Sequence, residues 1–377
     1  MDRYRLFAMC LAFIFSAQSF AFDVEAKQKS DEGKDDQFKV IAIPFYDPSV
    51  DSGLSIVPIY SFYADDNSET SSTLSATLTY TRNESYFLKG NTDILLDNDA
   101  VRVVSEFGYS YTNIELLGVI EATQKEINFD GSTYFNIYDN MFVGIGLDYS
   151  STLFSSEKRL DSALLKFLGF SDEYESDIGA KLSFLWDARE HYYYPYHGFL
   201  FELTYEDHGT WIGNKDDAAY SSLASDYRLF YSLTHDDNHI IASKWVARYL
   251  IDADNAPTSA YTTYGRQGRD VQRGFIAGDY VASHMTNLEL EYRYSIHGTS
   301  SQLLNNISLV ALTGAGKVFG EQVAGPEKSF SESRTLAMVG AGLRYRLMRQ
   351  ERINVRMDVT YNNEDEILAY FSLGENI

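Results

Sequence analysis

The sequence predicts an all-β fold, a closed antiparallel transmembrane β-barrel of about sixteen strands. Three observations predict it. The chain opens on an export signal, and a two-residue alternation of apolar and charged side chains then runs almost to its end. It is also rich in Tyr (29) and Phe (24), with only 6 Pro and one Cys. An aromatic, apolar face turned outward and a polar face turned inward mark strands that cross a bilayer around a wet interior.

The first residues read MDRYRLFAMCLAFIFSAQSFA. Arg3 and Arg5 supply a positive start, and Ser19 and Ala21 supply the small residues of a cleavage site, so residues 1–21 are expected to be a signal peptide. The apolar stretch from Leu6 to Phe15 is too short for a spanning helix, which needs about 20 apolar residues. Cys10 lies within it, so the mature chain is expected to hold neither thiol nor disulfide. The formal charge of −23 becomes −24 once two Arg and one Asp leave with the signal. Nucleic acid is not an expected partner of such an acidic chain, because phosphate recognition needs a basic surface. Residues 22–40 are charged and aperiodic, and read as a short periplasmic lead too small to be a domain. The barrel is expected to fill 41–377.

The alternation predicts strands over 53–64, 70–82, 85–95, 100–112, 114–125, 127–138, 140–151, 174–187, 197–208, 218–234, 238–251, 284–296, 303–319, 333–348, 352–362 and 366–375. In the clearest of them Leu288, Leu290, Tyr292 and Tyr294 alternate with Glu289, Glu291 and Arg293. Likewise Val355, Met357 and Val359 alternate with Arg356, Asp358 and Thr360. A soluble sandwich alternates too, but it does not place ionised residues so repeatedly on one face and large aromatics on the other. The longest connections, 152–173, 209–217, 252–283 and 320–332, fall at alternate hairpins, as long outer loops and short periplasmic turns should.

Three segments exceed the generic pattern. Asp187, Arg189, Pro195 and Gly198 form D-x-R-x5-P-x-x-G between two strands, a tight turn that a carboxylate–guanidinium pair can brace. The longest loop carries Gln272-Arg273-Gly274-Phe275, and the strand after it carries Glu291-Tyr-Arg293. In this order the three resemble the barrel of the BamA/TamA superfamily, the bacterial surface antigen family. Ile43-Pro44 ahead of the barrel, Gly340-Ala-Gly342 and the final Tyr370-Phe-Ser-Leu-Gly374 are also similar. The RGF tip follows the eleventh predicted strand, so it lies on the sixth outer loop, where that family carries it.

The resemblance implies that this loop folds into the lumen and that Arg273 pairs with carboxylates of the wall, Glu291 first and Glu289 second. The sequence departs from the family in three ways. It reads as a barrel-only member without POTRA domains; Gly314 stands where the family often has an Asp; and it ends in Ile377 where the family usually has an aromatic. With the Asp missing, the strand after the loop is expected to satisfy the guanidinium.

A barrel closes by pairing its first and last strands, and in this family that seam is where it opens. Pro58, in the first predicted strand, lacks an N–H, and Gly374 has no side chain to pack, so both are expected to weaken the seam. No catalytic site, cofactor or metal is expected. The seven His include His235 and His239 in one short turn, but none neighbours an evident nucleophile or follows a metal-ligand spacing. Two functions fit a monomeric barrel in outer-membrane lipid. One is an assembly or translocation factor for client outer-membrane or secreted proteins, or for lipid. The alternative is a passive pore or structural surface protein.

Overall fold

The computed structural model describes residues 36–64, 71–265, 272–301, 303–348, 352–375 and 377. The expected signal peptide lies outside the described residues. Seventeen strands form one antiparallel sheet: β1 (Gln37–Asp47), β2 (Asp51–Phe62), β3 (Ser72–Thr81), β4 (Tyr86–Leu96), β5 (Val101–Leu116), β6 (Ile120–Tyr138), β7 (Met141–Ser155), β8 (Glu175–Asp187), β9 (Gly198–His208), β10 (Tyr220–Ser232), β11 (His239–Ile251), β12 (Thr262–Tyr264), β13 (Tyr280–Ser295), β14 (Ile307–Gln322), β15 (Leu336–Met348), β16 (Ile353–Asn362) and β17 (Ile367–Leu373). The three-residue β12 is a spur on β13 within the longest loop, so the wall has sixteen staves. β11 pairs directly with β13, and β1 meets β17 to close the cylinder. Among the described residues one α-helix, α1 (Arg159–Phe167), sits in the β7–β8 loop and drops Leu165 onto Phe154 and Phe170. No described helix is long and apolar enough to cross a membrane.

The inside–outside alternation is sharpest on β13. Leu288 and Tyr292 are 44 % and 41 % exposed, whereas the Glu289, Glu291 and Arg293 beside them are at most 1 % exposed. Apolar side chains face out and charged ones are buried, the inverse of a water-soluble protein and the arrangement a lipid-facing barrel needs.

The structure reaches sixteen staves by a different route from the sequence. The segment expected at 114–125 instead holds the end of β5, which runs on to Leu116, the turn at 117–119 and the start of β6. From Ile120 it and the segment expected at 127–138 are one strand, β6, matched to β5 over sixteen residue pairs. At about 3.3 Å per residue the 19-residue β6 is roughly twice the length a bilayer requires, so the turn end of this hairpin projects beyond the lipid. There it escapes the lipid-facing rule that sets the expected strand ends.

The missing stave is β1, which begins inside the supposed lead. Its pattern is inverted, with Ile41 and Ile43 buried and Ala42 exposed, so polar-in, apolar-out counting passes over it. It pairs with β2 over its full eleven residues. The first expected strand is therefore β2. Pro58 pairs there with Val40 of β1, and the β2–β3 ladder skips Val57 and Pro58 between Ile56↔Leu78 and Ile59↔Ser75. Pro58 does interrupt a ladder, but not the one at the seam.

Candidate functional site

The long loop between β11 and β13 turns back into the barrel. Within it, residues 266–271 lie outside the described residues; Gln272, Arg273, Gly274 and Phe275 are buried in the lumen. Gly274 has φ +91, and a Cβ there would lie 2.7 Å from Met338 Cβ, so only glycine lets the tip seat against the wall. Phe275 meets the Tyr264 ring edge-on at 5.5 Å and joins the apolar cluster of Met285, Leu312 and Met338.

Arg273 is saturated with carboxylates. Its Nε and Nη2 donate to Glu289 Oε2 at 3.0 and 2.8 Å, and its backbone N–H donates to Oε1 of the same side chain at 2.8 Å. Its Nη1 lies 2.6 Å from Glu291 Oε1 and donates to Asp358 Oδ2 at 3.0 Å. Burial alone would lower the guanidinium pKa, but Glu289, Glu291 and Asp358 hold it well above its ordinary value. The structure thus brings Arg273, Glu289 and Glu291 together, with the order of the partners reversed: Glu289 grips the loop backbone as well as the side chain. Asp358 of β16 was not expected as a partner. Its place on the polar face of β16 was readable, but its proximity to a loop far away in sequence was not. Met338 Cε and Glu289 Cγ crowd the position a side chain on Gly314 would need, so the wall at that point is filled without the family's Asp.

The ion pairs continue toward the opposite rim. Arg293 Nε bonds Glu291 Oε2 at 2.7 Å, and Arg344 Nη1 bonds Asp358 Oδ1 at 2.5 Å. Arg344 Nε then donates to Glu375 Oε2 at 2.7 Å, and Arg293 Nη2 to the Ile377 carbonyl at 3.2 Å. The chain enters the lumen just past β17 at Gly374 (φ +80), and Ile377 packs on Phe230 and Ala242. Gly374 thus sits at the end of a seam strand, as a turn into the barrel.

The turn of Asp187, Arg189, Pro195 and Gly198 closes the same rim. Arg189 grips Asp187 through two bonds of 2.8 and 2.7 Å and donates to the Tyr192 carbonyl at 3.2 Å. The brace leaves Tyr194 fully buried, under Arg293 at 4.7 Å, beside a buried Pro195. In the short turn with two His, His239 Nδ1 meets the Tyr292 hydroxyl at 2.6 Å, and Asp237 pairs with His197 at 2.9 Å.

The seam is the weakest junction in the sheet. β1 and β17 share one residue pair, Tyr46↔Phe371, against eleven for β1–β2 and seven for β16–β17. The inward loop spans it from inside. The Gly274 N–H donates to the Tyr370 hydroxyl on β17 at 2.8 Å, and the Ala277 N–H donates to Ser49 Oγ, just past β1, at 3.0 Å. Side chains and a loop hold together what the backbone ladder does not.

The chain matches the Omp85 superfamily domain over residues 61–375. A comparison with curated proteins returns no match. Among solved structures, BamA from Haemophilus ducreyi lacking POTRA domains 1–3 is similar, with a TM-score of 0.61 at 14 % identity over 97 % of this chain and 78 % of that one. CdiB from Escherichia coli superposes with a TM-score of 0.58 at 9 % identity, covering 92 % of this chain and 63 % of that one. CdiB from Acinetobacter baumannii gives 0.53 at 10 % identity, covering 92 % and 60 %. This chain spans less than two-thirds of either CdiB chain. At these identities the likeness is one of fold.

Proposed function

This barrel belongs to the Omp85 superfamily, and we propose from that membership and from its seam that it handles client polypeptide or lipid at the bacterial outer membrane, as an assembly or translocation factor. The observation that carries the reading is the single residue pair joining β1 to β17. A closed sheet normally satisfies each strand edge, because an unpaired backbone group in lipid costs several kcal/mol. A junction with a single registered residue pair, bridged from inside by a loop, suits a wall that parts to offer its strand edge to a client. Under this reading the protein works as a monomer, with outer-membrane lipid and unfolded client chains as its partners, and it is not an enzyme. Phe275, Tyr194 and Ile377, buried inside the barrel, support this reading over an open passive pore.

The test uses the one position where the seam strands face each other. Tyr46→Cys with Phe371→Cys places two thiols on directly paired residues, within reach of a disulfide. In proteoliposomes the reduced variant should speed insertion of a small urea-unfolded outer-membrane barrel, and oxidation should abolish this while heat-modifiable gel migration stays unchanged. Equal activity in both redox states would sink the proposal. Liposome swelling by sugars with no effect on client insertion would favour the passive pore.

A further inference from the structure

The wall away from the seam carries a second cluster of buried chemistry. Asp148 on β7 and Glu206 and His208 on β9 each offer one donor atom, and these atoms lie within 4.8 Å of one another. β8 runs between the two strands, and the register places Gly179 opposite Asp148. A Cβ on Gly179 would lie 2.2 Å from Asp148 Oδ1 and 2.7 Å from His208 Cε1. The donors can meet across an intervening strand only because that residue has no side chain. The cluster opens on a cavity of about 170 Å³ inside the barrel, which Thr262 of the inward loop also lines.

Three details point to a ligand. First, Asp148 Oδ1 is buried and accepts no hydrogen bond among the described residues, and an orphaned buried carboxylate oxygen is costly unless something binds it. Second, His208 Nδ1 lies 2.9 Å from Asp177 Oδ2, which also accepts the Tyr220 hydroxyl at 2.6 Å, and the imidazole stacks on the Tyr220 ring. Despite the approach of Asp177, His208 Nδ1, like Asp148 Oδ1, is buried without a hydrogen-bond partner among the described residues, while the stacking on Tyr220 holds Nε2 toward Glu206. Third, Nε2 stands 3.8 Å from Glu206 Oε2. That is too far for a hydrogen bond, but near the roughly 3.4 Å between donors that bonds of about 2.1 Å give around a tetrahedral ion. Lys181 takes the other oxygen, Oε1, at 3.2 Å, and Ser222 steadies Oε2 at 3.0 Å.

We propose that Asp148, Glu206 and His208 bind a divalent transition-metal ion of the zinc class inside the barrel, with Asp177 and Tyr220 as positioning residues and a coordination position open to the cavity. The ion would pin β7 to β9 beside the base of the inward loop. Glu206-x-His208 carries the one sequence signal for it, since residues two apart on a strand share a face. The third ligand comes from a distant strand and leaves no local spacing to read.

The test is a calorimetric titration of Zn²⁺ into the full barrel in detergent after chelator treatment. One equivalent should bind. The isosteric Asp148→Asn and Glu206→Gln should each weaken binding at least tenfold, about as much as ligand-shell changes do elsewhere, and His208→Ala should abolish it. Asp177→Asn should cost about 10–100-fold, and His235→Ala nothing. Zn²⁺ should also raise the thermal midpoint of the wild type but not that of Asp148→Asn. The absence of saturable Zn²⁺ uptake would overturn the proposal, leaving His208 as an imidazolium held between Asp177 and Glu206. So would uptake unchanged in Asp148→Asn. If His208→Ala fails to fold, the two isosteric variants decide.

Discussion

Two junctions of the same sheet are built on opposite plans. β5 and β6 are matched over sixteen residue pairs, whereas β1 and β17 share one. The long hairpin is held by its backbone ladder. At the seam the ladder is nearly absent, and the buried charges of Arg273, Glu289, Glu291, Arg293, Arg344 and Asp358 crowd the wall beside it. A backbone ladder separates only if many bonds break together. A clamp made of one loop and a few side chains has a single release point. On the proposed function, permanence belongs to one side of the barrel and reversibility to the other.

The largest expected effect comes from removing that release point. Arg273→Ala leaves Glu289, Glu291 and Asp358 buried with one cation fewer, and breaking a buried pair from one side costs about 3–5 kcal/mol. The urea midpoint of the folded barrel should fall accordingly. Arg273→Lys should recover little of it, since a point charge cannot reproduce a guanidinium fork that reaches three carboxylates at once. In the Tyr46→Cys, Phe371→Cys variant, the rate of disulfide formation across the seam should also change when Arg273 is lost, because the clamp sets how the edges meet. An Arg273→Ala barrel with unchanged midpoint would show that the seam is held by something other than the loop.

A smaller effect should appear with pH at the base of the same loop. Burial, and then the carboxylates of Glu366, Glu115 and Glu364, push Asp279 up to about 7. The folded state thus favours its neutral form. The stability this contributes is fully present below the unfolded-state value of about 3.9 and is lost as pH rises through about 7. Raising the pH from about 5 to about 8 should therefore lower the thermal midpoint of the wild type more than that of Asp279→Asn, which is neutral throughout. Parallel pH profiles for the two proteins would remove Asp279 from the clamp.

What the sequence disclosed about this comparison was uneven, for physical reasons. Where strands lie in lipid, as in β13 and β16, lipid on one side and lumen on the other impose a strict alternation, and Glu289, Glu291 and Asp358 could be placed on the inner face. The number of staves came out right through two errors that cancelled. The turn end of the β5–β6 hairpin leaves the lipid, so its alternation lapses and two strands read as three; β1 turns Ile41 and Ile43 inward, so it reads as no strand at all. Arg273 and its two glutamates were visible because a short motif marks them. Asp358, Arg344 and Glu375 were not, because their meeting depends on barrel curvature and on a chain turning inward at Gly374. Neither leaves a local pattern. Pro58 shows the cost of missing β1: a strand proline does weaken a ladder, but the weakened ladder here is β2–β3 and not the closing edge.

That misplacement yields the smallest and most discriminating prediction. Pro58 sits on β2 where the β2–β3 ladder skips two residues, one strand away from the seam. Pro58→Val restores an N–H in mid-strand, and a net backbone hydrogen bond is worth about 0.5–1.5 kcal/mol. A β-branched residue also suits a pleated, half-buried strand, so a slight rise in the urea midpoint is expected. The seam should not respond. Its pairing rests on Tyr46↔Phe371 and on the loop contacts of Tyr370 and Ser49, none of which involves β3. In the Tyr46→Cys, Phe371→Cys background, adding Pro58→Val should leave the oxidation rate and the oxidised inhibition of client insertion unchanged. A faster cross-link would mean that stiffness travels from β3 through β2 to β1. The weakness at the seam would then belong to the whole first hairpin and not to a single junction.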